Sequence, residues 1–298
     1  MQDFTAASHE PQPGRFVVEE KNSALNRFFR QRPLLGTALL LLYFIVVLRV
    51  FSYIFQLGVK DWHLSFVIKN IIGECFYAVL IIIPLLLLGW WAQIGFTRGI
   101  QRKDIRLYIV PFIIIVLPSI VALPIATGKS STQIIVLSLI ASLLVGLTEE
   151  SFFRGLLLQS ALPTGIWPAV LISSVLFALV HLSNIVVGFT WNYVIGQALF
   201  AFGFGVLLSG LRLRTGSIWP GILFHAAKDF PGLILLTVNP RLVLSTPLNL
   251  ALLSSGIYCV ILLINAVIIL RPRKARELRV DYGLQPVPLS PPVSNQLR

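Results

Sequence analysis

Long apolar runs separated by short polar connections fill most of the chain. A run of eighteen or more apolar residues is long enough to cross the hydrocarbon core of a bilayer as an α-helix. Eight runs are read on this basis: 34–57, 66–91, 107–125, 133–158, 168–189, 192–211, 218–238 and 248–270. The pattern predicts an all-α, multi-pass transmembrane helical bundle. Pro111, Pro118 and Pro124 predict kinks or breaks in the third run. Gly196, Gly203, Gly205 and Gly210 predict close helix approach in the sixth. Outside the transmembrane domain at 34–270, residues 1–33 read as a flexible cytoplasmic lead without a cleavable signal. The basic segment 271–298, with Pro286, Pro288, Pro291 and Pro292, reads as a disordered tail.

Composition narrows this picture. At 56% hydrophobic and 12% charged residues the chain is no soluble domain. The net charge of +12 could suggest nucleic acid, but the basic residues lie between and after the apolar runs. They read as topology determinants and contacts to anionic lipid at the cytoplasmic face, with no nucleic-acid partner. Arg98–Arg106, Arg212/Arg214 and Arg271–Arg279 then share the cytoplasmic side with both termini. The expected location is the plasma membrane. Cys75 and Cys259 both fall in apolar runs and read as packed thiols, outside any disulfide or thiolate metal site.

The stretch Thr148-Glu149-Glu150-Ser151-Phe152-Phe153-Arg154 lies inside the fourth run. Charged groups at membrane depth cost roughly 2.5–3.5 kcal/mol each even on lenient insertion scales, so they face the bundle interior and find partners. Arg154 follows Glu150 by one helical turn, which makes a local ion pair available. Glu149 projects about 100° away from that face. Two more polar groups lie deep in spans, His181 in the fifth run and His225 in the seventh, and Asp229 shares a helical face with His225. Each would be unpaired in hydrocarbon unless they converge, and convergence makes a site. His9 and His63 fall in the lead and in a loop. Arg49 and Glu74, each about 12 Å below one surface by helical rise, are expected to pair across the first hairpin.

Glu149-Glu150-x-x-x-Arg154, Phe177-x-x-x-His181 and His225-x-x-x-Asp229 together resemble the three signature motifs of the CPBP intramembrane proteases. That family comprises type-2 CAAX prenyl endopeptidases and bacteriocin-processing or immunity-related enzymes. The likeness covers a motif-bearing core of about residues 105–240. It implies an eight-helix bundle enclosing a polar cavity, and hydrolysis of peptide bonds in membrane-embedded or lipidated substrates. Carried over position by position, it makes Glu149 the general base that activates water, helped by His181. It makes His225 and Asp229 the groups that steady the oxyanion, and Arg154 the group that orients the acidic pair through Glu150.

Two departures are plain. The third motif of the family often ends in Asn, and an ionised Asp229 cannot donate a hydrogen bond. It must be protonated, bind a cation, or orient His225 instead. Lys228 either snorkels or lowers the cost of ionising Asp229. The family is often named as a metalloprotease, and two histidines with a carboxylate form a recognised zinc set. One divalent metal, zinc, held by Glu149, His181, His225 and Asp229 therefore stays open beside a metal-free, glutamate-activated water; there is no His-Glu-x-x-His helix. The alternatives of other classes are a catalytically silent immunity or scaffold protein of the same fold, and a proton-coupled transporter, whose relays also use buried Glu and His.

Overall fold

The computed structural model describes residues 15–16, 23–59, 65–128 and 130–284, and every regular element among them is a helix. His9, His63 and the Pro-rich stretch from Pro286 onward lie outside the described residues. Among the described residues eight helices are long and apolar enough to cross a membrane: Pro33–Phe51 (within helix Pro33–Val59), Phe66–Leu88, Arg102–Thr127, Thr132–Thr164, Ile166–Val186, Trp191–Thr215, Trp219–Val238 and Leu248–Ile269. They are called the first to eighth spans below. Large apolar side chains such as Val121, Ile125 and Leu253 stand exposed on the outside of the bundle. A lipid-facing surface has that composition, because only the backbone is satisfied within each helix and the side chains meet hydrocarbon. The protein is an integral membrane protein.

The prolines of the third span do not break it. A π-helical segment, Phe112–Val116, lies between Pro111 and the α-helix Leu117–Thr127, so local winding absorbs the missing donors. The fourth span changes winding in the same way: α-helix Thr132–Glu150 passes into a π-helix, Ser151–Leu157, immediately after the acidic pair.

Small residues set the helix spacing. A Cβ on Gly203 would sit 2.9 Å from the Cα of Cys259 in the eighth span, and one on Gly205 would sit 3.0 Å from Cβ of Ser174 in the fifth. Cys259 is buried at that contact, whereas Cys75 is exposed on the outer surface of the second span and is no packed thiol. Between the fourth and seventh spans, a Cβ on Gly146 would lie 2.6 Å from the carbonyl oxygen of Ile222. That contact is backbone to backbone and fixes the two helices that carry Glu149 and His225. Gly146→Val should therefore lower stability by about 1–3 kcal/mol or more, the overpacking range, and lose turnover with it. Thermal unfolding in detergent checks this, and a parental melting curve would refute it.

Polar residues at one end of the bundle correct three expectations. Arg212 is not a solvated topology charge: it is 5% exposed, and its Nε donates to the Ile94 carbonyl at 2.8 Å. Its two terminal nitrogens donate to the Tyr282 hydroxyl and to the Gln93 carbonyl. Second, part of the segment expected to be disordered is a helix, Pro272–Asp281, with Ala275 and Leu278 buried. Its many charges hide this apolar pair, one helical turn apart, in the sequence. Tyr282 then packs against Phe16 with the rings tilted and their centroids 5.0 Å apart. Third, the lead contains a helix, Ala24–Gln31, capped by the Ser23 hydroxyl on the Asn26 amide at 3.1 Å.

Arg49 and Glu74 do not pair. Arg49 is exposed, while Glu74 is 8% exposed and turns into the bundle, where Thr148 Oγ1 lies 2.5 Å from its Oε2.

Candidate active site

The site is built where the fourth, fifth and seventh spans face one another, with a ring, Phe177, at its centre. The guanidinium of Arg154 lies 4.0 Å from the Phe177 centroid. His181 and His225 meet the same ring edge-on, at centroid distances of 4.4 Å and 6.0 Å. Phe204 of the sixth span packs edge-on to His225 from another side, at 5.3 Å. Aromatic walls of this kind hold polar rings in one orientation without competing for their hydrogen bonds.

Glu150 and Arg154 are both fully buried and form the ion pair read from their spacing, NH1 to Oε1, at 3.2 Å. The sequence reading gave Glu150 only that partner. The structure adds a second and shorter contact, because His225 Nδ1 lies 2.7 Å from the same Oε1. Gly221 leaves room for the carboxylate: a Cβ there would be 3.0 Å from Glu150 Oε2. The other face of His225 meets two more acids, with Nε2 3.4 Å from Glu149 Oε2 and 3.4 Å from Asp229 Oδ2. Lys228 Nζ completes the row at 3.0 Å from Asp229 Oδ1. Basic and acidic side chains thus alternate along Arg154, Glu150, His225, Asp229 and Lys228, with Glu149 beside His225. Of the two readings of Lys228, the geometry matches the one in which it compensates Asp229.

Access separates these groups. Glu150 and Arg154 are sealed and His225 is 4% exposed, whereas Glu149 is 26%, Asp229 21% and Lys228 35% exposed. The open side is therefore lined by Glu149, Asp229 and Lys228, and the sealed side holds them in place. His181, on the fifth span, has Nδ1 2.9 Å from the Phe177 carbonyl oxygen. A carbonyl only accepts, so that nitrogen carries the hydrogen, and in the neutral ring Nε2 offers a lone pair.

A metal was an open expectation for Glu149, His181, His225 and Asp229. Among the described residues no group of three or more His, Cys, Asp or Glu side chains is arranged to hold a metal ion. Each imidazole has its Nδ1 on a partner, Glu150 or the Phe177 carbonyl, and His225 Nε2 lies 3.4 Å from Glu149 and from Asp229. As they stand, these four side chains are not gathered into such a group, and no step below runs through a metal ion.

Two contributors were not read as site residues. Glu74 was singled out as a buried charge but assigned to Arg49, and Thr148, its partner, stood in the quoted stretch without a role. Together they anchor the second span to the turn that carries Glu149. The signal was a carboxylate and a hydroxyl in two apolar runs, which needed the rotation of both helices to be joined.

No curated protein and no solved structure matches the chain. Residues 131–231, from the start of the fourth span to the middle of the seventh, match the family model described as Type II CAAX prenyl endopeptidase Rce1-like.

Proposed function

We propose that the protein is an intramembrane endopeptidase that hydrolyses a peptide bond in membrane-anchored, lipidated substrates. The observation that carries this is the division of the site: two accessible carboxylates, Glu149 and Asp229, face a histidine whose other nitrogen is held by a sealed Glu150–Arg154 pair. A purely structural polar cluster would have no reason to leave Glu149, Asp229 and Lys228 open.

In the proposed reaction the Glu149 carboxylate takes a proton from a water whose other hydrogen is accepted by His181 Nε2. The water oxygen bonds to the scissile carbonyl carbon, and the carbonyl π pair moves onto its oxygen. Collapse reforms the carbonyl and breaks the C–N bond, while Glu149 returns its proton to the leaving nitrogen. His225 stays in place between Glu149, Asp229 and Glu150 and fixes the direction of Glu149. Burial in an apolar wall strengthens each of these contacts relative to water. The test uses the full chain in liposomes with a quenched-fluorescent farnesylated peptide ending in a CAAX-type sequence. Cleavage by the parent at a single bond is expected. Absence of cleavage, with proton-coupled uptake in the same liposomes, would assign the cluster to transport instead.

A further inference from the structure

We propose that Lys228 is the catalytic group that stabilises the oxyanion, with Asp229 holding it in place; this rests on the endopeptidase reading above. An oxyanion hole needs N–H or O–H donors that the substrate can reach. The charged and histidine side chains of this site can be taken one by one.

His225 Nδ1 is held by Glu150 at 2.7 Å, and its Nε2 faces the acids Glu149 and Asp229 at 3.4 Å, so a negative substrate oxygen there would meet two carboxylates. Arg154 is fully buried, paired with Glu150 and covered by Phe177. His181 spends its hydrogen on the Phe177 carbonyl and presents a lone pair. Asp229, as an ion-paired carboxylate, accepts only.

Lys228 differs from all of these. Its ammonium carries three donors. One points to Asp229 Oδ1 at 3.0 Å, and the Phe200 ring of the sixth span supports the charge from 4.8 Å. With the side chain 35% exposed, a donor remains for the open side, beside Glu149 and Asp229. The role given to Asp229 by family likeness therefore passes to its neighbour, and Asp229 becomes the positioning residue. The proton balance is simple: Lys228 donates a hydrogen bond while the carbonyl oxygen is negative and keeps its proton throughout.

The experiment compares variants of the full chain on the farnesylated peptide. Lys228→Met should lose about 10²–10³-fold in kcat with KM nearly unchanged, the usual effect of removing one oxyanion donor. Lys228→Arg, which keeps a charged donor, should stay within about tenfold of the parent. Lys228→Met combined with Asp229→Asn should recover at least about tenfold over Lys228→Met alone, because the amide supplies an N–H where the carboxylate could not.

A second readout does not need turnover. In the Glu149→Gln background, Lys228→Met should weaken binding of a phosphinate peptide, a tetrahedral anion, by about tenfold or more, and leave the uncleaved amide peptide unaffected. Parental kcat in Lys228→Met, no recovery in the double variant, or equal loss of both peptides would overturn the proposal. A parent that binds the phosphinate through Lys228 yet cleaves nothing would leave Lys228 an anion-binding group of this site, and would overturn both its catalytic role and the endopeptidase reading.

Discussion

Glu149→Gln should insert, fold and express like the parent and lose at least about 10²-fold in turnover, the lower end for loss of a general base. The side chain is 26% exposed, and His225 Nε2 is 3.4 Å away. The amide keeps the volume and can still accept from His225, so the helix packing has no cause to change. What it cannot do is take a proton from water near neutral pH. Single-turnover cleavage in liposomes, with thermal unfolding run in parallel, separates the two effects. Near-parental cleavage would remove Glu149 from the mechanism.

Glu150→Gln should act in the opposite way, through stability. Its carboxylate is fully buried, paired with Arg154 at 3.2 Å and 2.7 Å from His225 Nδ1. Removing that charge leaves the Arg154 guanidinium buried without a counter-ion, and breaking a buried pair in this way costs about 3–5 kcal/mol. Both partners can instead be replaced together. Glu150→Gln with Arg154→Met should regain part of the loss, since no isolated buried charge remains. The measurement is unfolding in detergent for the single and double variants. A single variant as stable as the parent would show that the pair is not what holds this turn.

The sequence carried the spans well and their rotation poorly. Length and apolarity alone located eight helices, and the spacing of Glu150 and Arg154 gave their ion pair. A span that is apolar all the way round has no phase, so nothing in the second run said whether Glu74 faced Arg49 or Thr148. The same ignorance hid the contact between Glu150 and His225, which joins helices 75 residues apart. Lys228 and Asp229 were recognised as unusual, yet only the 3.0 Å contact between them showed that one compensates the other. At the bundle end, the sequence showed charges at 271–281 and little else. The docked helix there depends on Ala275, Leu278 and the buried Arg212, whose carbonyl partners at 93 and 94 lie far away along the chain.

The π-helical stretch Ser151–Leu157 bears on how this gene can change length. A π turn closes its hydrogen bond over one residue more than an α turn. The stretch therefore stores one surplus residue between two fixed sets of contacts. Upstream, Glu149 and Glu150 face His225; downstream, Ser160 Oγ lies 2.7 Å from Thr37 Oγ1 of the first span. Loss of one residue from 155–157 rewinds the segment as ordinary α-helix and leaves both sets of contacts in register. Loss of one residue from the α-helical part between Ala141 and Leu147 has no such slack to draw on. It turns both glutamates by about 100° and empties the site. Within this single helix, single-residue deletions should be tolerated on one side of the acidic pair and disabling on the other.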